Sequence, residues 1–535
     1  MFPQLLTPVA GALLPSFVVA TLPIVAVLVL LGALRRPAWQ ASLGGLSVGF
    51  VIAVWPWHLP IGLALASIAN GATFALWPVM WIVVNALLLY NIAVKSGRFD
   101  DFREWVFDHL PNDRRIVLVV IGFCFGALLE GIAGFGTPIA ITSSLLIAVG
   151  FPAMEALVFT LIFDTAPVAF GALGVPITVL GAVTHLSPAV LGAMVGRQLP
   201  IFALVLPFYV IRVYGGNRSV RELWPMLLVS GGSFAVIQFL TANYLNYSLT
   251  DVLSSLGSLL ATLLFLQYWK PQPNAAFAVR EIPAAHEARA ALPAAFSAWL
   301  PWIVVTLTVI LWTSFGIFKF GDEKIPWPGL NGAISITLYK GAPYLAIWDF
   351  QPLATGTAIL VASLVTALLV RLSPGAFAGC IGATARQAFV PVVTVMLIIS
   401  LAYLMNYSGL NYTLGLGAAS VGLLFVVVSP FLGWVGVFLS GSDTSANALF
   451  GNLQVVAAGQ LNLNPVLFAA TNSSGGVMGK MISPQNLSTG VSVTELKGQE
   501  GAVFARTFPH SIILTVALGL LVAIQQFLIP WIIPH

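Results

Sequence analysis

Charge is what this chain has least of. Of its 535 residues, Asp, Glu, Lys and Arg make up 7%, against 59% hydrophobic. A soluble globular surface needs roughly a quarter charged residues, so no water-facing fold accommodates this composition. Cysteine is nearly missing: Cys124 and Cys380 are the only two. They have no metal-ligand spacing and imply no disulfide framework. A net charge of +4 gives no hint of nucleic-acid binding. No HExxH motif appears, and the one GxSxG match, GLSVG at 45–49, lies inside an apolar run rather than at a strand-to-helix turn, which argues against an intramembrane enzyme. No cofactor is implied. The N-terminal apolar run has no basic n-region and no small-residue cleavage site, and reads as a retained helix rather than a signal peptide.

Apolar runs are what the chain has in abundance. Many follow one another at about 20 residues, each enough to span ~30 Å of hydrocarbon. The pattern predicts an all-α, multi-pass membrane protein with the lipid bilayer as its solvent. Spans are expected at 16–34, 38–57, 72–94, 153–184, 189–211, 223–245, 252–268, 299–318, 352–370, 389–406, 465–490 and 511–533. These make about twelve crossings, with an interfacial helix at 373–387 and an external polar loop at 319–350. Basic residues set the orientation. Arg35 and Arg36, the Lys95–Arg115 cluster, Arg212–Arg221, Arg289, Arg371 and Lys497–Arg506 all fall on one side, read as cytoplasmic. Both termini are then expected outside, which for a bacterial inner membrane means the periplasm. The chain divides into a half at 1–268, a cytoplasmic linker at 269–298 and a second half at 299–535.

Two breaks interrupt this pattern. LLEGIAGFGTPIAI (128–141) lies between short apolar arms, and SGSDTSAN (440–447) occupies a similar place late in the chain. The first arm, 116–129, would reach about 21 Å as an α-helix, short of the bilayer. We therefore read 116–150 and 415–460 as re-entrant hairpins, the first entering from inside and the second from outside. GALLEG (126–131) aligns with GVFLSG (436–441) at an offset of 310. The broken spans that follow align at 308, matching Asp164 to Asn472, Gly171 to Gly479 and Pro176 to Pro484. The whole is an inverted-topology repeat with discontinuous helices at the midplane, the usual build of a secondary transporter.

Candidate site residues come from these breaks. A helix starting at Thr137-Pro138 would offer free N–H groups to an anion, with Gly134 and Gly136 beside it. SGSDTSAN adds Ser442, Asp443, Thr444 and Asn447, and NSSGGVMGK adds Ser474 and Lys480. Lys480 would meet a substrate carboxylate or pair with Asp443 or Asp164. Arg197 would join the substrate or snorkel to the interface. Charge at the bilayer centre costs at least ~2.5–3.5 kcal/mol. Glu130, Asp443 and Asp164 are therefore the candidates for carrying a proton, against the alternative of static ion pairs or a helix cap.

The stretches GFCFGALLEGIAGFGTPIAIT, DTAPVAFGALGVPI, MVGRQLP, FLGWVGVFLSGSDTSANALF and GGVMGKMISPQ together resemble the L-lactate permease family. The likeness runs from about residue 10 to the C-terminus. It departs from the family pattern at Asp164, where Asn is often found. The resemblance implies proton-coupled symport of L-lactate and related 2-hydroxy monocarboxylates, D-lactate and glycolate among them, across the bacterial inner membrane. The partners are then a small organic anion and a proton. A sodium-coupled organic anion symporter and an anion channel are the alternatives.

Overall fold

The computed structural model describes residues 1–34, 36–132, 137–272, 274–278, 292–492, 494–496 and 498–534. Gly134, Gly136, Arg35, Lys497 and the Arg289 region of the expected linker lie outside them, as does the Thr137 side chain. The described chain is predominantly helical. Eight of its helices are long and apolar enough to cross a membrane, or nine if the bent pair Ala153–Phe163 and Val168–Thr184 is one span. Shorter apolar helices are Ala38–Val54, Pro138–Ala148, Ala298–Ser314 and Thr355–Leu369. A total of twelve crossings therefore requires some of these shorter helices.

Several boundaries differ from expectation for local reasons. The third span is the second part of a longer helical segment, Ile61–Lys95. Its bend falls at Trp77, which leaves helical geometry at φ −137° and ψ 116° just before Pro78, because a proline disfavours the α conformation in the residue ahead of it. The expected interfacial helix 373–387 and the span after it are one helix of 35 residues, Pro374–Ser408. Pro391 does not end it; in a bundle, neighbouring groups can satisfy the carbonyl that proline leaves free. The polar segment 319–350 is not bare loop. Glu323–Pro326 pairs antiparallel with Ile347–Phe350, and Ile334–Ile336 pairs with Ala342–Pro343 and, in parallel, with the N-terminal strand Phe2–Pro3. The first residues and the polar segment therefore share one face of the molecule.

Two hairpins and two broken spans form the centre. In the first hairpin the leading limb is helical from Arg114 to Ile132, 19 residues, and is buried from Arg115 onward. It is longer than the 14-residue arm expected, because the helix starts at the Asp113 cap and runs past Glu130. Its middle, Leu118–Phe125, is π-helical. The returning limb is Thr137–Ala148. In the second hairpin Phe425–Ser440 stops at Gly441, in the left-handed region at φ 69°, where glycine carries no Cβ penalty. Ser442 then caps Asp443–Gln460, its Oγ accepting from Ser445 N at 3.3 Å. Asn464 likewise caps Pro465–Lys480 by accepting from Val466 N and Leu467 N.

The broken spans differ in where they break. After Phe163 the first passes through a turn and then three left-handed residues, Ala172, Leu173 and Gly174. The second is unbroken through NSSGGVMGK and parts only at Met481–Ser483, before the helix Pro484–Ser492. Pro176 and Pro484, matched by the 308 offset, each stand at the restart of a helix after the break. The matched glycines also do similar work. A Cβ on Gly171 would lie 2.9 Å from Glu130 Oε1, and one on Gly479 would lie 2.3 Å from the Trp434 carbonyl oxygen. Each glycine lets a broken span lie against the leading limb of its own hairpin. Gly433 and Gly475 extend the second of these contacts, their added Cβ atoms falling 1.8 Å from Asn472 O and 2.2 Å from Pro430 O.

Candidate functional site

Glu130 ends the sequence GALLE on the leading limb of the first hairpin, one turn short of the break. Lys480 is the last residue of Pro465–Lys480. They are 350 positions apart in the chain, and Lys480 Nζ donates to Glu130 Oε1 at 2.6 Å. Lys480 Nζ also lies 3.0 Å from Asp164 Oδ2, in the turn that breaks the first broken span, without the alignment of a hydrogen bond. Glu130 and Lys480 are each 4% exposed and Asp164 6%. One cation thus holds two carboxylates from the other half of the chain in a nearly dry site.

A second polar cluster builds on Asn447, from the second hairpin. Its Nδ2 donates to the Pro176 carbonyl and to Asp443 Oδ2, each at 3.2 Å. Its Oδ1 accepts from Asn472 Nδ2 at 2.9 Å. Asp443 Oδ2 also accepts from Ser473 Oγ at 2.5 Å. Gln454 closes the network through Asn472 Oδ1 at 3.2 Å. The two tips make no hydrogen bond with each other among the described residues. Instead each hairpin reaches the other unit's broken span: Glu130 meets Lys480, and Asn447 meets Pro176.

Several buried polar atoms at these breaks have no partner among the described residues. They are Glu130 Oε2, Asp443 Oδ1, Ser474 Oγ and Ser483 Oγ, together with both carboxylate oxygens of Asp251. Such atoms cost about 1–3 kcal/mol each when left unmade, so a site that retains them has unused capacity to bind. Ser442 is part-buried and occupied as a cap, while Thr444 is buried on the first turn of the same helix.

Arg197 is elsewhere. It lies in the turn between the helices Pro188–Val195 and Leu199–Tyr244, not inside a helix. Its Nε donates to Asn243 Oδ1 at 2.7 Å, and Nη1 donates to the Ile532 carbonyl. It ties the C-terminal segment down and does not join the Lys480 cluster. His185 and Tyr403 and Tyr407 form a third group. His185 Nε2 is 2.8 Å from the Tyr344 hydroxyl, which the polar segment supplies. These residues, with Asn406 and Ala182, line a crevice with no room for water.

Sequence reasoning missed Asp251. It stands in the first turn of Thr250–Tyr268, one residue outside the expected span. Its signal was the run Ser254, Ser255 and Ser258, all buried with it. The spacing of three, four and seven puts a carboxylate and three small hydroxyls on one helix face, as at tightly packed membrane interfaces.

Helical hairpins and broken spans meeting around buried charge, in a multi-pass membrane protein, define a secondary-transporter build. The chain belongs to the L-lactate permease family, whose model matches residues 16–529. It is 38% identical over 544 residues to the L-lactate permease of Salmonella typhi, covering 98% of each chain. It is 38% identical over 561 residues to the L-lactate permease of Bacillus subtilis strain 168, covering 99% of each. The glycolate permease GlcA of Escherichia coli K12 is 38% identical over 549 residues, again covering 98% of each. Membership of this permease family makes the chain a transporter.

Proposed function

We propose that this protein carries L-lactate and related 2-hydroxy monocarboxylates, including D-lactate and glycolate, across the bacterial inner membrane together with a proton. The relatives named for lactate and for glycolate support a substrate defined by a carboxylate with an adjacent hydroxyl. One observation carries the mechanism: buried Lys480 is shared by two carboxylates, Glu130 at 2.6 Å and Asp164 at 3.0 Å. A substrate carboxylate competes with Glu130 for Lys480. Once displaced, Glu130 would be an unpaired charge in a dry site, which is costly, and it takes a proton on Oε2, an oxygen without a partner. The substrate hydroxyl bonds Ser474 or the Asn447 and Thr444 face of the second hairpin. From the first, Thr137 supplies a backbone N–H group at the start of the returning limb, with Gly134 and Gly136 as the candidates that the sequence places beside it.

The proton has an energetic reason. Moving a monoanion inward against an inside-negative potential costs ~2.3 kcal/mol per 100 mV, and a co-transported proton cancels that charge. Alternating access moves the first hairpin unit against the second. In this reading both termini are periplasmic; the pairing of the N-terminal strand with segment 319–350, the expected external loop, supports this for the N-terminus.

The test is uptake of labelled L-lactate into proteoliposomes under an imposed pH gradient, with and without sodium. Accumulation driven by the pH gradient alone is expected; accumulation that requires sodium overturns the proton assignment. Glu130→Gln should reduce accumulation far more than lactate–lactate exchange. Equal loss in both would assign Glu130 to binding alone.

A further inference from the structure

Asp251 is wholly buried, and neither of its carboxylate oxygens has a hydrogen-bond partner among the described residues. It is not remote from the Lys480 cluster. A Cβ built on Gly131, the residue after Glu130, would stand 3.0 Å from Asp251 Oδ2 and 3.2 Å from its Cγ. The absence of a side chain at 131 is what admits the carboxyl to this position. The groups that face Asp251 electrostatically are Glu130, Asp164 and Lys480. On adjoining elements, Cys124 lies against Ser230 and Ser258, and the Tyr247 hydroxyl lies 3.1 Å from Thr178 Oγ1.

Charge counting then separates the carboxyls. With Glu130 and Asp164 ionised and Lys480 charged, the cluster carries −1. An ionised Asp251 would make it −2, with no cation or donor among the described residues left to compensate it. An isolated buried carboxylate is far more costly than the neutral acid. Glu130 has a cation at 2.6 Å, and Asp443 has Ser473 and Asn447. Among the described residues, Asp251 alone of these four buried acids has neither a cation nor a donor.

We propose that Asp251 is a proton-holding residue of the transport cycle, which hands its proton to Glu130 when substrate takes Glu130's place on Lys480. This rests on the proton-coupled reading above and deepens it. In the step, the O–H bond of the Asp251 carboxylic acid breaks and an O–H bond forms at Glu130 Oε2. Asp251 becomes the carboxylate and is reprotonated from the aqueous side to which the site is open. One anion and one proton have then entered, and the cluster returns to −1. No other oxidant, reductant or co-reactant is required.

The experiment compares wild type with Asp251→Asn and Asp251→Glu in proteoliposomes. Lactate–lactate exchange and pH-driven accumulation are both measured across a range of pH. With one proton per anion, a gradient of one pH unit supports about tenfold accumulation. Asp251→Asn is expected to lose most of that tenfold while its exchange falls by a much smaller factor. Asp251→Glu is expected to regain accumulation with a displaced pH profile. Wild-type accumulation and pH profile retained in Asp251→Asn would overturn the proposal while leaving proton symport standing. Loss of exchange in both variants would assign Asp251 a structural role and also overturn it. Exchange without pH-driven accumulation in the wild type would instead refute proton symport itself.

Discussion

Replacing Lys480 by Met removes the one cation that the cluster has and keeps most of its volume. At an effective dielectric constant of about 20, a unit pair at the Glu130 distance of 2.6 Å attracts by about 6 kcal/mol, and at the Asp164 distance of 3.0 Å by slightly less. Desolvation of the three ions takes back most of this sum. What survives is the asymmetry. Deleting one partner of a buried pair typically costs about 3–5 kcal/mol, because the other is left bare. Here two carboxylates are left bare, so Lys480→Met belongs at the upper end of that range. Glu130→Gln leaves Lys480 with Asp164 and should cost clearly less. A triple variant, Lys480→Met with Glu130→Gln and Asp164→Asn, removes every unpaired charge and should recover much of the loss. Thermal unfolding of the purified protein in detergent, followed by size-exclusion profile, reads the order of the three. Lys480→Met as stable as wild type, or a triple variant less stable than the single one, would refute the reasoning.

Gly433→Ala would place a Cβ 1.8 Å from the Asn472 carbonyl oxygen, backbone against backbone, and overpacking of this kind costs about 1–3 kcal/mol or more. Its yield of folded protein should fall, whereas Gly379→Ala, with nothing within 4 Å of the new Cβ, should match wild type; equal yields would show that the two helices part freely. Arg115 is fully buried and pairs with Asp113 at 2.7 Å and Glu222 at 2.6 Å. Because Glu222 is partly solvated, Arg115→Ala should cost near the lower end of the ~3–5 kcal/mol for a broken buried pair, seen as faster proteolysis of the 98–113 region. Single cysteines at Phe2 and Lys340, in a variant lacking Cys124 and Cys380, should react with an impermeant thiol reagent from the same side of the membrane, and one at Arg218 from the other. Labelling of Phe2→Cys and Lys340→Cys from opposite sides would contradict the strand pairing.

The helical, multi-pass architecture was legible because composition and apolar run length leave a chain few other options. The two breaks were legible for the same reason, since glycine, hydroxyl and carboxylate groups are costly inside apolar runs. Glu130, Asp443 and Lys480 stood out as intramembrane ionisable residues. What sequence does not express is pairing across 350 residues, so Lys480 had three possible carboxylates and no way to choose. Arg115 read as one of several topology-setting charges, and only folding shows it buried beneath Phe277, whose ring centre is 4.4 Å from the guanidinium carbon. Arg197 misled because GRQLP sits in an apolar stretch; the turn at 196–198 that takes it out of the helix is bracketed by Gly196, which ends one helix, and Pro200, which stands in the first turn of the next. Asp251 was lost to a boundary error of one residue, which matters little for a span and decisively for a carboxyl.

The glycines between Phe425–Ser440 and Pro465–Lys480 have a mechanical consequence. Gly433, Gly475 and Gly479 bring the two helices into backbone contact with no side chains to act as cushions. Such a pair has almost no internal slack and behaves as a stiff beam. Ser442, the cap of Asp443–Gln460, follows just after the end of one member, and Lys480 is the last residue of the other. A displacement of the second hairpin tip therefore reaches the Lys480 ammonium undamped. Glu130 and Asp164 ride on the opposite unit, so the salt bridge is the seam across which the load must pass. Any motion of one unit against the other would have to open this ion pair first, which makes it the latch of the beam.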